Sequence, residues 1–132
     1  MLLHRTIAGV AAAIVVSLPA LTGAPAQAKG GDDGVRRSGS CSGATAWKIK
    51  AKADDGRLEV EAEIDSNHRG QTWRWALRHD GRVAARGRSV TAGRSGSFEV
   101  QRHTSNTRGA DSFRFRAVNV RSGEVCVARV TR

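Results

Sequence analysis

The chain has 132 residues, a formal net charge of +10 and 22 Lys and Arg against 12 Asp and Glu, with only 5% aromatic residues. Such a length leaves room for one ordinary domain and no second core. The basic balance favours polyanionic partners, although an Arg-rich coding bias also contributes to it.

Residues 1–28 read as an export signal. His4 and Arg5 form a short basic start, residues 7–21 are an apolar run too short for an ordinary membrane span, and Ala26 and Ala28 give the A-x-A pattern of a cleavage site. Cleavage between Ala28 and Lys29 is expected. A single Arg before the apolar run argues against a twin-arginine signal, and no Cys stands beside the cleavage site for lipidation. The exported protein is expected to be secreted or held at the cell wall, and no later segment is apolar for long enough to span a bilayer.

Residues 29–43 (KGGDDGVRRSGSCSG) have almost nothing to bury and are expected to be a flexible tether, pinned at its end by Cys41. Outside the cytosol, Cys41 and Cys126 are expected to form a disulfide. Closing a loop of about 85 residues stabilises a fold by about 4 to 5 kcal/mol in the chain-entropy model. A metal site is not expected, because two isolated Cys without neighbouring His cannot complete a tetrahedral zinc centre.

The folded domain is expected over residues 44–132, as seven strands. Trp47, Ile49, Ala51 and Ala53 alternate with Lys48, Lys50 and Lys52; beyond Asp55-Gly56, Leu58, Val60, Ala62 and Ile64 alternate with Glu59, Glu61 and Glu63. Asp-Gly is a two-residue hairpin signal, since a type I′ turn needs positive φ at both centres. Counting outward from it sets Lys52 opposite Glu59, Lys50 opposite Glu61 and Lys48 opposite Glu63. A slip of one residue would put Lys against apolar side chains.

The third strand carries Trp73, Trp75 and Leu77 on one side and Thr72, Arg74 and Arg78 on the other, and ends at Asp80-Gly81. The fourth runs back from Arg82 to about Val90, with Val83 and Ala85 expected inward through a three-residue turn and a bulge. The fifth, residues 97–103, turns Phe98 and Val100 inward. In the sixth, Phe113, Phe115 and Ala117 face in while Arg114 and Arg116 face out. The seventh, residues 124–131, follows the turn Arg121-Ser122-Gly123.

Seven short strands with turns at this spacing indicate an all-β, antiparallel immunoglobulin-like sandwich. The tight turns follow the first, third and sixth strands. The longer loops suit a partition in which the first, second and fifth strands make one sheet and the third, fourth, sixth and seventh the other. Both Cys then fall at one end.

At the sixth strand, residues 113–119 (FRFRAVN) followed by Gly123 resemble the fibronectin type III domain, whose alternating strand ends in A-x-N before a glycine turn. The resemblance covers roughly residues 41–132 and implies a fold, not an activity. The family's tyrosine in this strand is absent, with Asp111 or Phe113 in its neighbourhood. The chain as a whole is similar to small exported bacterial proteins.

The charge is uneven. Residues 44–65 hold four basic and six acidic side chains, whereas residues 66–132 hold fourteen Arg and four acids. The expected sheet gathers Arg74, Arg78, Arg82, Arg86, Arg114 and Arg116 on its outer face, an expected anion-binding surface for an acidic cell-envelope polymer, anionic lipid head groups or an acidic protein. A plain solvated face of an Arg-rich chain is the simplest alternative. Nucleic acid is disfavoured, because the aromatics that stacking needs alternate with the Arg residues and so point inward.

Two rival functions remain at this level: a protein-interaction module working through edge strands or loops, and a small secreted hydrolase such as a ribonuclease. For the latter Glu99, Glu124, His68, His79 and His103 are available, but no motif sets a base beside an acid. No cofactor is expected. Asp54-Asp55-Gly56 is a turn rather than a calcium loop, lacking the spaced carboxylates and the closing Glu.

Overall fold

Alternating side chains and unpaired backbone groups build two antiparallel sheets. A computed structural model of the protein describes residues 34–132. The expected export signal, its cleavage point between Ala28 and Lys29, and the first residues of the expected tether lie outside the described residues.

The described chain holds eight strands: β1 (Val35–Ser40), β2 (Ala46–Asp54), β3 (Arg57–Asp65), β4 (Thr72–His79), β5 (Arg82–Val90), β6 (Ser97–Ser105), β7 (Ser112–Asn119) and β8 (Val125–Thr131). One sheet has the order β1-β2-β3-β6 and the other β5-β4-β7-β8. Every neighbouring pair is antiparallel. The expected partition of seven strands between two sheets is therefore observed, with one strand added.

The added strand is β1, so that Val35–Ser40, within the stretch expected to be a tether, is a paired strand. Val35–Ser40 pairs along β2 from Val35 opposite Ala51 to Ser40 opposite Ala46. The segment has little to bury. It becomes a strand because the outer edge of β2 offers a row of unpaired N–H and C=O groups that any backbone can satisfy. Gly39 lets it lie close: a Cβ there would stand 2.5 Å from Cζ2 of Trp47, whose indole nitrogen donates to the Ser40 carbonyl at 3.2 Å.

The first hairpin has the expected register. Lys52 faces Glu59, Lys50 faces Glu61, Lys48 faces Glu63 and Ile49 faces Ala62. Both Asp-Gly turns adopt the left-handed conformation that a type I′ turn demands, with φ of 52° and 80° at Asp55 and Gly56 and of 48° and 83° at Asp80 and Gly81. The second hairpin therefore turns through two residues, not three. Its bulge lies further along, where Arg78 pairs with Val83 but Leu77 pairs with Ala85, leaving Ala84 as the extra residue.

The inner faces of the two sheets share one core. Ile49, Leu58, Ile64, Trp73, Leu77 and Phe115 are each no more than 1% exposed. Trp75 stacks on Phe115 with ring centroids 5.5 Å apart, and Arg102 of β6 reaches from the other sheet to 5.3 Å from the Trp75 ring. Cys41 and Cys126 form the expected disulfide, joining the link before β2 to β8 across 85 residues of sequence. This bond suits an extracellular setting. Among the described residues no helix is long and apolar enough to cross a membrane.

Candidate anion-binding face

The outer surface of the β5-β4-β7-β8 sheet follows from alternation. With Trp73, Trp75 and Leu77 committed to the core, β4 must present Thr72, Arg74, Ala76 and Arg78 outward. Cross-strand register then assigns the neighbours. On β5, Arg88 lies opposite Arg74 and Arg86 opposite Ala76; on β7, Arg114 lies opposite Arg78 and Arg116 opposite Ala76; on β8, Arg129 lies opposite Arg114.

Of the six Arg read from the sequence, the sheet brings five together, namely Arg74, Arg78, Arg86, Arg114 and Arg116. Arg82 is the exception. It pairs with His79, whose ring stacks on Phe113 with centroids 4.6 Å apart, so Arg82 shares the inward side of the sheet at its open end. The cause is the bulge: one extra residue at Ala84 reverses the parity of β5, so 82 and 86 cannot face the same way. The same reversal turns Val83 outward, 39% exposed, contrary to its expected inward placement, while Ala85 stays half-buried against the core.

Two further Arg belong to this face, Arg88 and Arg129. Alternation past Arg86 marks the first, and alternation along β8 with Cys126, Ala128 and Val130 inward marks the second. Both signals are present in the sequence.

None of these seven guanidinium groups is ion-paired with a carboxylate among the described residues. Three pairs stand directly opposite one another: Arg74 with Arg88, Arg78 with Arg114, and Arg114 with Arg129. Like charges so placed are destabilising. Arg78 donates one hydrogen bond, from Nη1 to the Gly81 carbonyl at 3.1 Å, and Nε of Arg114 is buried without a partner.

The outer face of the opposite sheet is different in kind. Lys52 lies 3.4 Å from Glu59 and Lys50 4.0 Å from Glu61. Burial and the hydrogen-bonded neighbour Glu59 push the Glu61 carboxyl up. Glu59 is pushed up by burial too, but hydrogen bonds with Glu61, Gln101 and Lys52 hold it below its ordinary value. Charge there is balanced internally.

The residues considered for hydrolysis are not brought to one place. His68 lies in the loop between β3 and β4, with its carbonyl accepting from Ser66 and Thr91. Glu99 stands opposite Glu63 on the outer face of the first sheet. Glu124 accepts hydrogen bonds from Gly43 and Thr45. His79 lies 2.6 Å from Asp111, and His103 lies 2.8 Å from Asp54 and 3.4 Å from Glu59.

The last two are groups with metal-ligand atom types, Asp54–Glu59–His103 and His79–Asp80–Asp111, with donor atoms within 4.8 Å in each. In both, the imidazole and the carboxylates already satisfy one another. The Asp111 side chain is 3% exposed and accepts from Thr107 Oγ1 at 2.6 Å and from Thr107 N at 3.2 Å. Burial pushes its carboxyl up, but the hydrogen bonds from Thr107 and His79 outweigh that and hold it below its ordinary value. The group ties the loop after β6 to the end of β4.

With this geometry in view, comparison with protein families, curated proteins and solved structures finds no match to the chain.

Proposed function

We propose that the protein is an exported, non-enzymatic, immunoglobulin-like domain of the fibronectin type III kind that binds an anionic polymer or surface through the outer Arg face of its β5-β4-β7-β8 sheet. The observation that carries this reading is the contrast between the two outer faces. One balances its charges in Lys–Glu pairs, while the other sets seven Arg side by side with no carboxylate. Guanidinium groups pair with phosphate and carboxylate in bidentate geometry, and an anionic partner offsets the repulsion among them.

The sandwich reading is supported by strand order: β2, β3 and β6 form a three-stranded unit against β5-β4-β7-β8, and β1 extends the first sheet at its edge. Export is supported by the disulfide and by the pattern of residues 1–28. The test is retention on immobilised heparin or a comparable anionic polymer. Changing Arg74, Arg78, Arg114 and Arg116 together to Ser should shift elution to much lower salt, and unchanged elution overturns the reading.

A further inference from the structure

One position on the Arg face differs from the rest. Ala76 is half-buried at the middle of β4, and all four of its nearest same-face positions are Arg. Arg86 and Arg116 lie directly opposite it on β5 and β7, with Cβ atoms about 5 Å away across an antiparallel pair. Arg74 and Arg78 lie two residues away along the strand, about 7 Å in each direction. A methyl group among four long side chains leaves a depression, and the surface is concave there, with a volume of about 490 Å³ and with Val83 and Val118 also lining it. Arg114 lines the same depression, and its buried Nε has no partner.

Resting on the anion-binding reading of this face, we infer that the depression over Ala76 is a socket for one phosphate group of a linear, base-free phosphate polymer, such as a polyphosphate or a polyol phosphodiester. Arg side chains carried on four sides of one position are best met by an acceptor with oxygens pointing in several directions. A phosphate unit of such a polymer is tetrahedral: its two charged oxygens lie out of the plane of its two bridging oxygens, and neighbouring units offer further charged oxygens on either side. A carboxylate has two oxygens in one plane and is saturated by one or two Arg.

The remaining Arg extend the socket into a track. Arg88 is a diagonal neighbour of Ala76 on β5, about 7 to 8 Å away. Arg129 lies on the opposite diagonal, two strands over on β8, about 12 Å away. The line from Arg88 over Ala76 to Arg129 crosses all four strands and meets successive charges of one chain. Nucleic acid fits less well, because Trp73, Trp75, Phe113 and Phe115 are buried on the inner side and offer no stacking surface. A lipid surface fits less well too, since the apolar side chains facing out of the depression are Val83, Val118 and Ala76, and Trp75, which also lines it, is only 6% exposed and cannot insert.

The experiment compares the full protein with Ala76→Glu, which sets a carboxylate in the socket, and with Ala76→Met, which fills it without charge. Affinity is measured for linear polyphosphate, poly-L-glutamate of equal charge, single-stranded DNA and phosphatidylglycerol vesicles. Expected is at least tenfold tighter binding of polyphosphate than of the other three, a tenfold or greater loss with Ala76→Glu, and a smaller loss with Ala76→Met. Circular dichroism and melting temperature confirm that each variant is folded. Changing Arg88 and Arg129 to Ser should weaken polyphosphate binding while leaving the melting shift given by inorganic phosphate unchanged.

Equal affinity for poly-L-glutamate, DNA or vesicles, or folded Ala76 variants that bind as the native protein does, overturns the socket. If polyphosphate binding survives both Ala76 changes but is lost when Arg74, Arg78, Arg114 and Arg116 become Ser, the socket falls and the anion-binding face stands. If the native protein binds none of the four probes, the face itself falls.

Discussion

Glu124 and Thr45, 79 residues apart in the chain, are clasped by two hydrogen bonds, from Thr45 Oγ1 to Oε1 at 2.6 Å and from Thr45 N to Oε2 at 3.0 Å. Gly43 N adds a third at 2.9 Å. Next to them Ser42 and Val125 exchange two more, Ser42 N to the Val125 carbonyl at 2.8 Å and Val125 N to Ser42 Oγ at 2.9 Å. Together with the Cys41–Cys126 bond, these contacts fasten the link between β1 and β2 to the β7–β8 hairpin.

The Glu124 carboxyl is pushed up by burial, but the hydrogen bonds from Thr45 and Gly43 prevail and hold it below its ordinary value of 4.5. A carboxyl lowered on folding stabilises the fold at pH values above its unfolded value, and the contribution is lost as pH falls through the folded value. Glu124→Ala should cost about 1 to 3 kcal/mol at pH 7, from backbone and side-chain donors left unmatched. Urea denaturation should show the gap between native protein and Glu124→Gln closing below about pH 4, close to the free glutamate value. A gap that stays constant from pH 7 to pH 2 would mean the carboxylate charge has no part in the clasp.

The disulfide closes a separation of 85 residues. Replacing Cys41 and Cys126 together by Ser should lower the unfolding free energy by about 4 to 5 kcal/mol, as chain entropy returns to the unfolded state. Chemical denaturation of the double variant reads this directly. A loss under about 1 kcal/mol would contradict an effect of the bond through the entropy of the unfolded chain.

Gly87 on β5 makes room for the Trp75 indole, since a Cβ there would lie 2.8 Å from Cζ2 of that ring. The indole nitrogen of Trp75 donates to Ser89 Oγ at 3.0 Å, so the ring cannot slide away freely. Gly87→Ala should therefore cost about 1 to 3 kcal/mol as an overpacking change and shift Trp fluorescence. Gly39→Ala should cost less, although a Cβ there would crowd Trp47 more closely, because Trp47 is only partly buried whereas Trp75 is held in the core. Equal losses at the two positions would contradict this difference.

The Arg face predicts a distinctive response to salt. Each directly opposed Arg pair costs about 0.2 to 1 kcal/mol, and screening shortens from about 30 Å at 0.01 M to about 3 Å at 1 M salt. Melting temperature should rise as sodium chloride increases over this range. The variant with Arg74, Arg78, Arg114 and Arg116 changed to Ser should show a much flatter response. An equal slope in both proteins would place the salt effect elsewhere.

The first hairpin was the most legible part of the fold. Lys48, Lys50 and Lys52 against Glu59, Glu61 and Glu63 admit one register, and Asp55-Gly56 admits one turn. The strand at residues 35–40 was not legible, because its pairing owes nothing to a pattern in its own side chains. The site was legible in part. Arg74, Arg78, Arg114 and Arg116 follow from regular alternation, whereas Arg82 faces the other way because the bulge expected with a three-residue turn lies instead at Ala84, beyond a two-residue turn, a position that alternation on an exposed edge strand does not mark. Arg88 and Arg129 were readable in principle, each lying one alternation step from a residue already assigned.

Local chemistry therefore sufficed, from the sequence by itself, for the all-β class, the positions of the Asp-Gly turns, the register of the first hairpin, the cysteine pairing and the division of the seven expected strands between sheets. Period-two alternation and turn residues act within a few positions, and loop lengths limit which strands can pair. Only the tertiary structure recruited β1 to a free edge, reversed the parity of β5, fastened Thr45 to Glu124 and set four Arg around Ala76. Each of those depends on which residue from a distant strand lies opposite, and a neighbour supplied by folding has no signature in the segment that receives it.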